Sequence, residues 1–160
     1  VAKYPPSATE PGVIYASPEE VEKAFYEAVE RQDINALMSL WSNDEEIVCI
    51  HPNGQRVSGV EEVRKSFAQA MEDPPVRIAK SQQARWEGAV MALYQNIETV
   101  LNKETGQPGG VPLFVSHIFM LGAHGWRMVC RHSTSTTTGK KSAGVKSPPV
   151  PNGAGDHTLH

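Results

Sequence analysis

What the chain lacks narrows its class first. Its 160 residues include only two cysteines, Cys49 and Cys130, with no CxxC pair. That excludes a disulfide-stapled scaffold or a zinc ribbon. Both lie in apolar, strand-like runs and read as buried, reduced thiols of a cytoplasmic protein. No apolar run approaches the roughly 18 residues of a membrane span. The opening "VAKYPPSATEPG" has no apolar core, so no secretory signal is expected. Fifteen Lys and Arg stand against eighteen Asp and Glu, a net charge of −3. That balance lacks the broad basic field that nucleic acid requires. There is no GxGxxG after a strand, no P-loop, no GxSxG elbow, no HExxH and no EF-hand loop. No internal repeat is visible.

What is present reads as one domain between two irregular ends. Residues 1–15 carry three prolines and little periodicity, and read as an arm over the surface. Residues 139–160 are rich in Gly, Pro, Ser and Lys and read as a flexible tail. Its His157 and His160 have no fixed geometry for a metal. The domain spans residues 16–138. "SPEE" predicts a helix capped by Ser17, with Pro18 in its first turn and Glu20 closing a capping box. Val21, Ala24, Phe25, Ala28 and Val29 then mark one buried face. Asp33 caps a second helix with Ile34, Leu37, Met38 and Trp41 on one stripe. "EEIVCIH" is short and evenly apolar, as a strand buried on both faces is. Pro52-Asn53-Gly54 turns it. Ser58 and Glu61 form the capping box of a third helix, lined by Val60, Val63, Phe67, Ala70 and Met71 and stopped by "EDPP".

Beyond Pro75 the pattern is that of strands. "VRIAKSQQARW" and "AVMALYQNIETVL" meet at Gly88, and "NKETGQPGGVP" is a wide loop. "LFVSHIFML" and "WRMVCRHSTST" form a tight hairpin through Gly122 to Gly125. Helices followed by an antiparallel meander make an α+β fold. Both alternating sets of the strands beyond Gly88 are apolar, so the helices cover one face and a second subunit is expected on the other.

The histidines carry the functional expectation. With an even hairpin connection, Leu121 faces Trp126, Phe119 faces Met128, His117 faces Cys130 and Val115 faces His132. His117 and His132 then share a face as diagonal neighbours, roughly 7–8 Å apart. His51 shares its strand face with Ile47 and Cys49. Three imidazoles on one apolar wall read as a binding site, and their separation onto different strands argues against a metal. Trp41 at the core edge and Tyr94 in mid-strand are further ligand-binding candidates. One carboxylate of Asp44, Glu45 and Glu46 is placed to orient His51 as a base. Arg127 and Arg131 read as surface or subunit-contact residues.

Taken together, "DINALMSLWSNDEEIVCIHPNGQRVSGVEEVRKSF" and the closing "GWRMVCRHST" resemble the SnoaL-like branch of the nuclear transport factor two-like superfamily. The resemblance runs from about Ser17 to Thr138. It implies a cone-shaped barrel of curved antiparallel sheet packed on three N-terminal helices, with an apolar pocket and homodimers formed through the open sheet face. That superfamily includes ketosteroid isomerase, scytalone dehydratase, limonene epoxide hydrolase and polyketide cyclases, alongside non-catalytic binding and association modules. The isomerase's Tyr and Asp pair and the epoxide hydrolase's Asp-Arg-Asp set have no counterparts here. Where related sequences read "HH", this one has Arg131-His132.

The expectation is therefore a homodimer that binds a small, largely apolar molecule in the cone. Trp41, His51, Tyr94, His117 and His132 would line the site, with no cofactor and no metal. The alternative is a cofactor-free isomerase, dehydratase or cyclase using His51 or His132 for acid/base chemistry. A pure association module would instead fill the cone with side chains.

Overall fold

A computed structural model describes residues 12–136. The expected tail at 139–160, with His157 and His160, lies outside them, as does the arm except for residues 12–15. The elements run α1 (Pro18–Arg31), α2 (Ile34–Ser39), β1 (Val48–Ile50), β2 (Arg56–Ser58), α3 (Val60–Ala70), β3 (Arg77–Glu87), β4 (Met91–Leu101), β5 (Leu113–Gly122) and β6 (Gly125–Ser135). The six strands form one sheet in the order β2-β1-β6-β5-β4-β3. The sheet is curved and does not close, so the cone is open rather than a complete barrel. It is also not wholly antiparallel, because β1 runs parallel to β6, pairing Cys49 with Arg131 and Ile50 with His132.

Local chemistry sets the helices. Ser17 accepts from the Glu20 backbone, the Glu20 carboxylate accepts from the backbone N–H of Ala16, one residue before the position a capping box uses, and Pro18 opens the helix. Val21, Phe25 and Ala28 are buried on one side. Asp33 caps α2 through the Ala36 backbone. The cap of α3 differs from expectation. Gly59 at φ +85° takes the cap position, and the Ser58 hydroxyl donates instead to the Glu45 carbonyl at 3.3 Å. The helix begins one residue later than expected, which leaves Ser58 before the cap position.

The sheet's inner face meets the helices through Ala92, Tyr94, Asn96 and Glu98 of β4 and Val115, His117 and Phe119 of β5, all buried. The last hairpin has a two-residue connection, and Leu121 pairs with Trp126 and Phe119 with Met128. A β-bulge then intervenes. Val129 is the extra residue, so Ile118 pairs with Cys130, His117 with Arg131 and Ser116 with His132. One inserted residue exchanges the faces of everything beyond it. His132 therefore lies on the face opposite His117, and Arg131 takes the inward position expected of His132.

Residues 12–15 run onto the start of β6. The Trp126 backbone donates to the Tyr15 carbonyl at 3.0 Å, and Arg127 donates to the Val13 carbonyl while its guanidinium lies over the Tyr15 ring. Gly125 makes this approach possible, because a Cβ there would stand 2.7 Å from the Tyr15 oxygen.

Candidate functional site

On the inner face the polar side chains close a ring of hydrogen bonds. Glu22 and Tyr26 come from α1, Asn96 and Glu98 from β4, His117 from β5 and Arg131 from β6. Arg131 holds Glu98 through two bonds of 2.8 Å and also reaches His117 Nε2 at 2.7 Å. A guanidinium only donates, so His117 Nε2 is an acceptor and the ring proton sits on Nδ1, which donates to Glu22 at 2.8 Å. Tyr26 donates to Glu98 at 2.7 Å and accepts from Asn96, whose amide also reaches Glu22. Lys80 of β3 binds the other Glu22 oxygen at 2.6 Å. With neutral His117 the two carboxylates are balanced by two cations.

Each proton follows from its surroundings. Burial lowers the His117 pKa and Arg131 adds to that, overriding the Glu22 bond. Burial would raise the Glu98 carboxyl, but the Arg131 guanidinium and its bonds hold it at about 2. Burial would likewise raise the Glu22 carboxyl, but His117 and Lys80 hold it below its ordinary value. The Tyr26 phenol is pushed up by burial and by Glu98. The ring therefore stays charged as drawn around neutral pH.

This arrangement leaves no room for a ligand at His117. Its exposure is 0%, as is that of Phe119 and Met128, so neither solvent nor a water-sized void touches them. Phe25, Tyr26 and Phe119 surround the imidazole with ring centroids at 5.3, 6.0 and 5.9 Å. The cone is solid at this point. Tyr94 is buried, and its hydroxyl is bonded to Glu87 at the β3 edge, where Arg85 joins Glu87 to Glu19. Arg131 itself is no surface residue, contrary to expectation.

The other candidates lie apart. His132 is exposed on the outer face, beside a groove of about 320 Å³ shared with Gln95, Phe114 and Ser116. Trp41 is buried, with its Nε1 lacking a partner, and its ring lies 6.2 Å from that of Phe67. The His51 ring lies 5.5 Å from that of Phe67 and is only half-buried. It walls a cleft of about 390 Å³ between α3 and the β1–β2 connection, with Asn53, Gln55, Ser66, Gln69 and Asp73. His51 Nε2 lies 3.0 Å from the Ser66 hydroxyl and 3.7 Å from Cys49 Sγ. Burial lowers the His51 pKa, helped by Arg131, so the ring is neutral near pH 7. Asp44, expected among the groups orienting it, is exposed and accepts from the Glu46 backbone instead.

Among the expected residues, then, Trp41 and His51 share one neighbour, His117 and Tyr94 belong to bonded networks, and His132 is on the far face. The reading from sequence missed Glu22, Tyr26, Asn96, Glu98 and Arg131. Only Asn96 and Glu98, polar at alternate positions of an apolar strand, carried a signal. Among the described residues no three His, Cys, Asp or Glu groups are placed to hold a metal ion, and no helix is long and apolar enough to cross a membrane.

Helices laid across one face of a curved, unclosed sheet define the cone fold of the nuclear transport factor two-like class. More narrowly, the chain belongs to the SnoaL-like domain family, whose model matches residues 19–137. Among solved structures it is similar to a Thiobacillus denitrificans protein provisionally assigned as a calcium/calmodulin-dependent protein kinase type II association domain. That pair has 24% identity and a TM-score of 0.72, covering 78% of this chain and 98% of the other. A provisionally assigned dehydratase of the NTF2-like family from Streptomyces avermitilis is 25% identical, with a TM-score of 0.66, covering 74% and 92%. A ketosteroid isomerase-like protein from Erwinia carotovora atroseptica is 18% identical, with a TM-score of 0.61, covering 74% and 93%. No curated protein matches the chain.

Proposed function

We propose that this domain binds a small molecule in the cleft between α3 and the β1–β2 connection, with His51 as its polar contact. The observation that carries the reading is the state of His51. It is the one candidate imidazole that both bonds a neighbouring side chain, the Ser66 hydroxyl, and lines a cleft large enough for a ligand. Phe67, which also neighbours Trp41, gives the His51 ring an apolar contact. Mass spectrometry of small molecules released from the purified full chain tests it. A molecule retained by wild type and lost from His51→Ala is expected; equal retention, or none in either, would reject the site.

An enzymatic version uses the same residue. A neutral imidazole can take a proton from carbon, as an isomerase or dehydratase requires, and the likeness to dehydratase and ketosteroid isomerase-like proteins makes that chemistry the second reading. In either case the frame is a homodimer joined through the outer sheet face, where Trp86, Met91, Phe114 and Met120 are 41–57% exposed. The free thiols of Cys49 and Cys130 suit a reducing, cytoplasmic setting.

A further inference from the structure

We propose that Ser66 is a positioning residue that locks His51 in one tautomer, making the cleft a receptor for neutral hydroxyl-bearing molecules. This rests on the reading that His51 meets the ligand. The Ser66 hydroxyl lies 2.8 Å from the Val63 carbonyl, three residues earlier in α3, and 3.0 Å from His51 Nε2. A hydroxyl has a single proton, and a carbonyl can only accept it. Ser66 therefore donates to Val63 and offers His51 a lone pair. The imidazole must supply the other proton, which places it on Nε2 and leaves Nδ1 as a bare acceptor. Nδ1 has no protein partner among the described residues. It is also not among the fully buried unpaired atoms, so it is reachable from outside.

The surroundings then select the ligand. An acceptor calls for a donor. No Lys or Arg lines the cleft, so nothing there neutralises a carboxylate or phosphate. The Asp73 carboxylate would attract an ammonium, but an ammonium only donates and leaves the Gln55 and Gln69 amide N–H groups without an acceptor, whereas a hydroxyl both donates and accepts. The amides of Gln55 and Gln69 and the Asp73 carboxylate on the same walls suit further hydroxyls.

Long-range proton–nitrogen NMR of the full chain, which reports the protonated ring nitrogen directly, tests both halves. Wild type and Ser66→Thr, which keeps the hydroxyl, should show His51 protonated at Nε2. Ser66→Ala should show a mixture of tautomers while still melting cooperatively. Protonation at Nδ1 in wild type, or an unchanged tautomer in a folded Ser66→Ala, would overturn the role of Ser66. Glycerol should move the His51 Nδ1 resonance further than methylammonium or acetate at equal concentration. A larger effect from either ion, or none from glycerol, would overturn the ligand class. The tautomer result is independent of whether any co-purified molecule needs His51, so failure here and failure of the binding reading are told apart.

Discussion

Replacing Arg131 with alanine removes the centre of the inner ring of hydrogen bonds. In the intact protein its guanidinium supplies two bonds of 2.8 Å to Glu98 and one of 2.7 Å to His117. After truncation the buried Glu98 carboxylate keeps only Tyr26 and loses the cation that holds its pKa at about 2. Breaking one partner of a buried pair costs about 3–5 kcal/mol, because the remaining charge is stranded. For a domain of this size that corresponds to a fall in Tm of roughly 10–20 °C. Arg131→Lys should recover part of the loss, since a lysine restores the charge but not the planar fork. Arg131→Met with Glu98→Leu together should cost much less than the two single changes added. Urea denaturation followed by circular dichroism reads all five variants. If Arg131→Ala cost under about 1 kcal/mol, the value of an exposed pair, the residue would be on the surface and the bulge at Val129 would be misplaced.

Acid should destabilise the fold in two stages. The pKa values of His117 and His51 are lowered by burial, so the unfolded chain, at about 6.5, takes up protons before the folded one does. Stability is thus full above about pH 6.5 and declines below it as these imidazoles are driven to charge. A second decline follows below the ordinary carboxylate range, where Glu98 and Glu22 lose their advantage. The urea midpoint measured against pH should show both, with His117→Gln flattening part of the upper one; a midpoint that rises on acidification contradicts the ring. Gly125→Ala should destabilise by about 1–3 kcal/mol, from a side chain forced into positive φ against the Tyr15 carbonyl, and calorimetry reads it directly. Trp86→Glu with Phe114→Glu should turn a dimer into a folded monomer in sedimentation velocity; an unchanged sedimentation coefficient removes the sheet face as the contact.

How much of this was legible in the sequence depended on whether the signal was local. Capping by Ser17 and Asp33, the stripe of α1, that of α3 apart from the exposed Ala70, and the turn at Pro52 to Gly54 all reside in a few consecutive residues, and they appear where expected. The even hairpin connection was also readable, and its first pairs, Leu121 with Trp126 and Phe119 with Met128, follow from it. Val129 carried no such mark. A bulge at an ordinary valine depends on tertiary curvature rather than on local preference, and it reversed the positions of Arg131 and His132. The parallel pairing of β1 with β6 was equally hidden, since it joins segments some eighty residues apart. That His51 follows a short strand and precedes a turn was legible because the residues around it are contiguous. Ser66 was not, because nothing in "VRKSFAQ" distinguishes a serine that bonds an imidazole from one that faces water.

The central claim is that a ligand meets this protein at His51. Crystals grown from full-length protein that has kept its co-purified molecule would test it most directly. Density should occupy the cleft beside α3, with a hydroxyl within hydrogen-bond distance of His51 Nδ1. Density instead in the outer-face groove at His132, or in a reopened interior against His117 and Arg131, would contradict it.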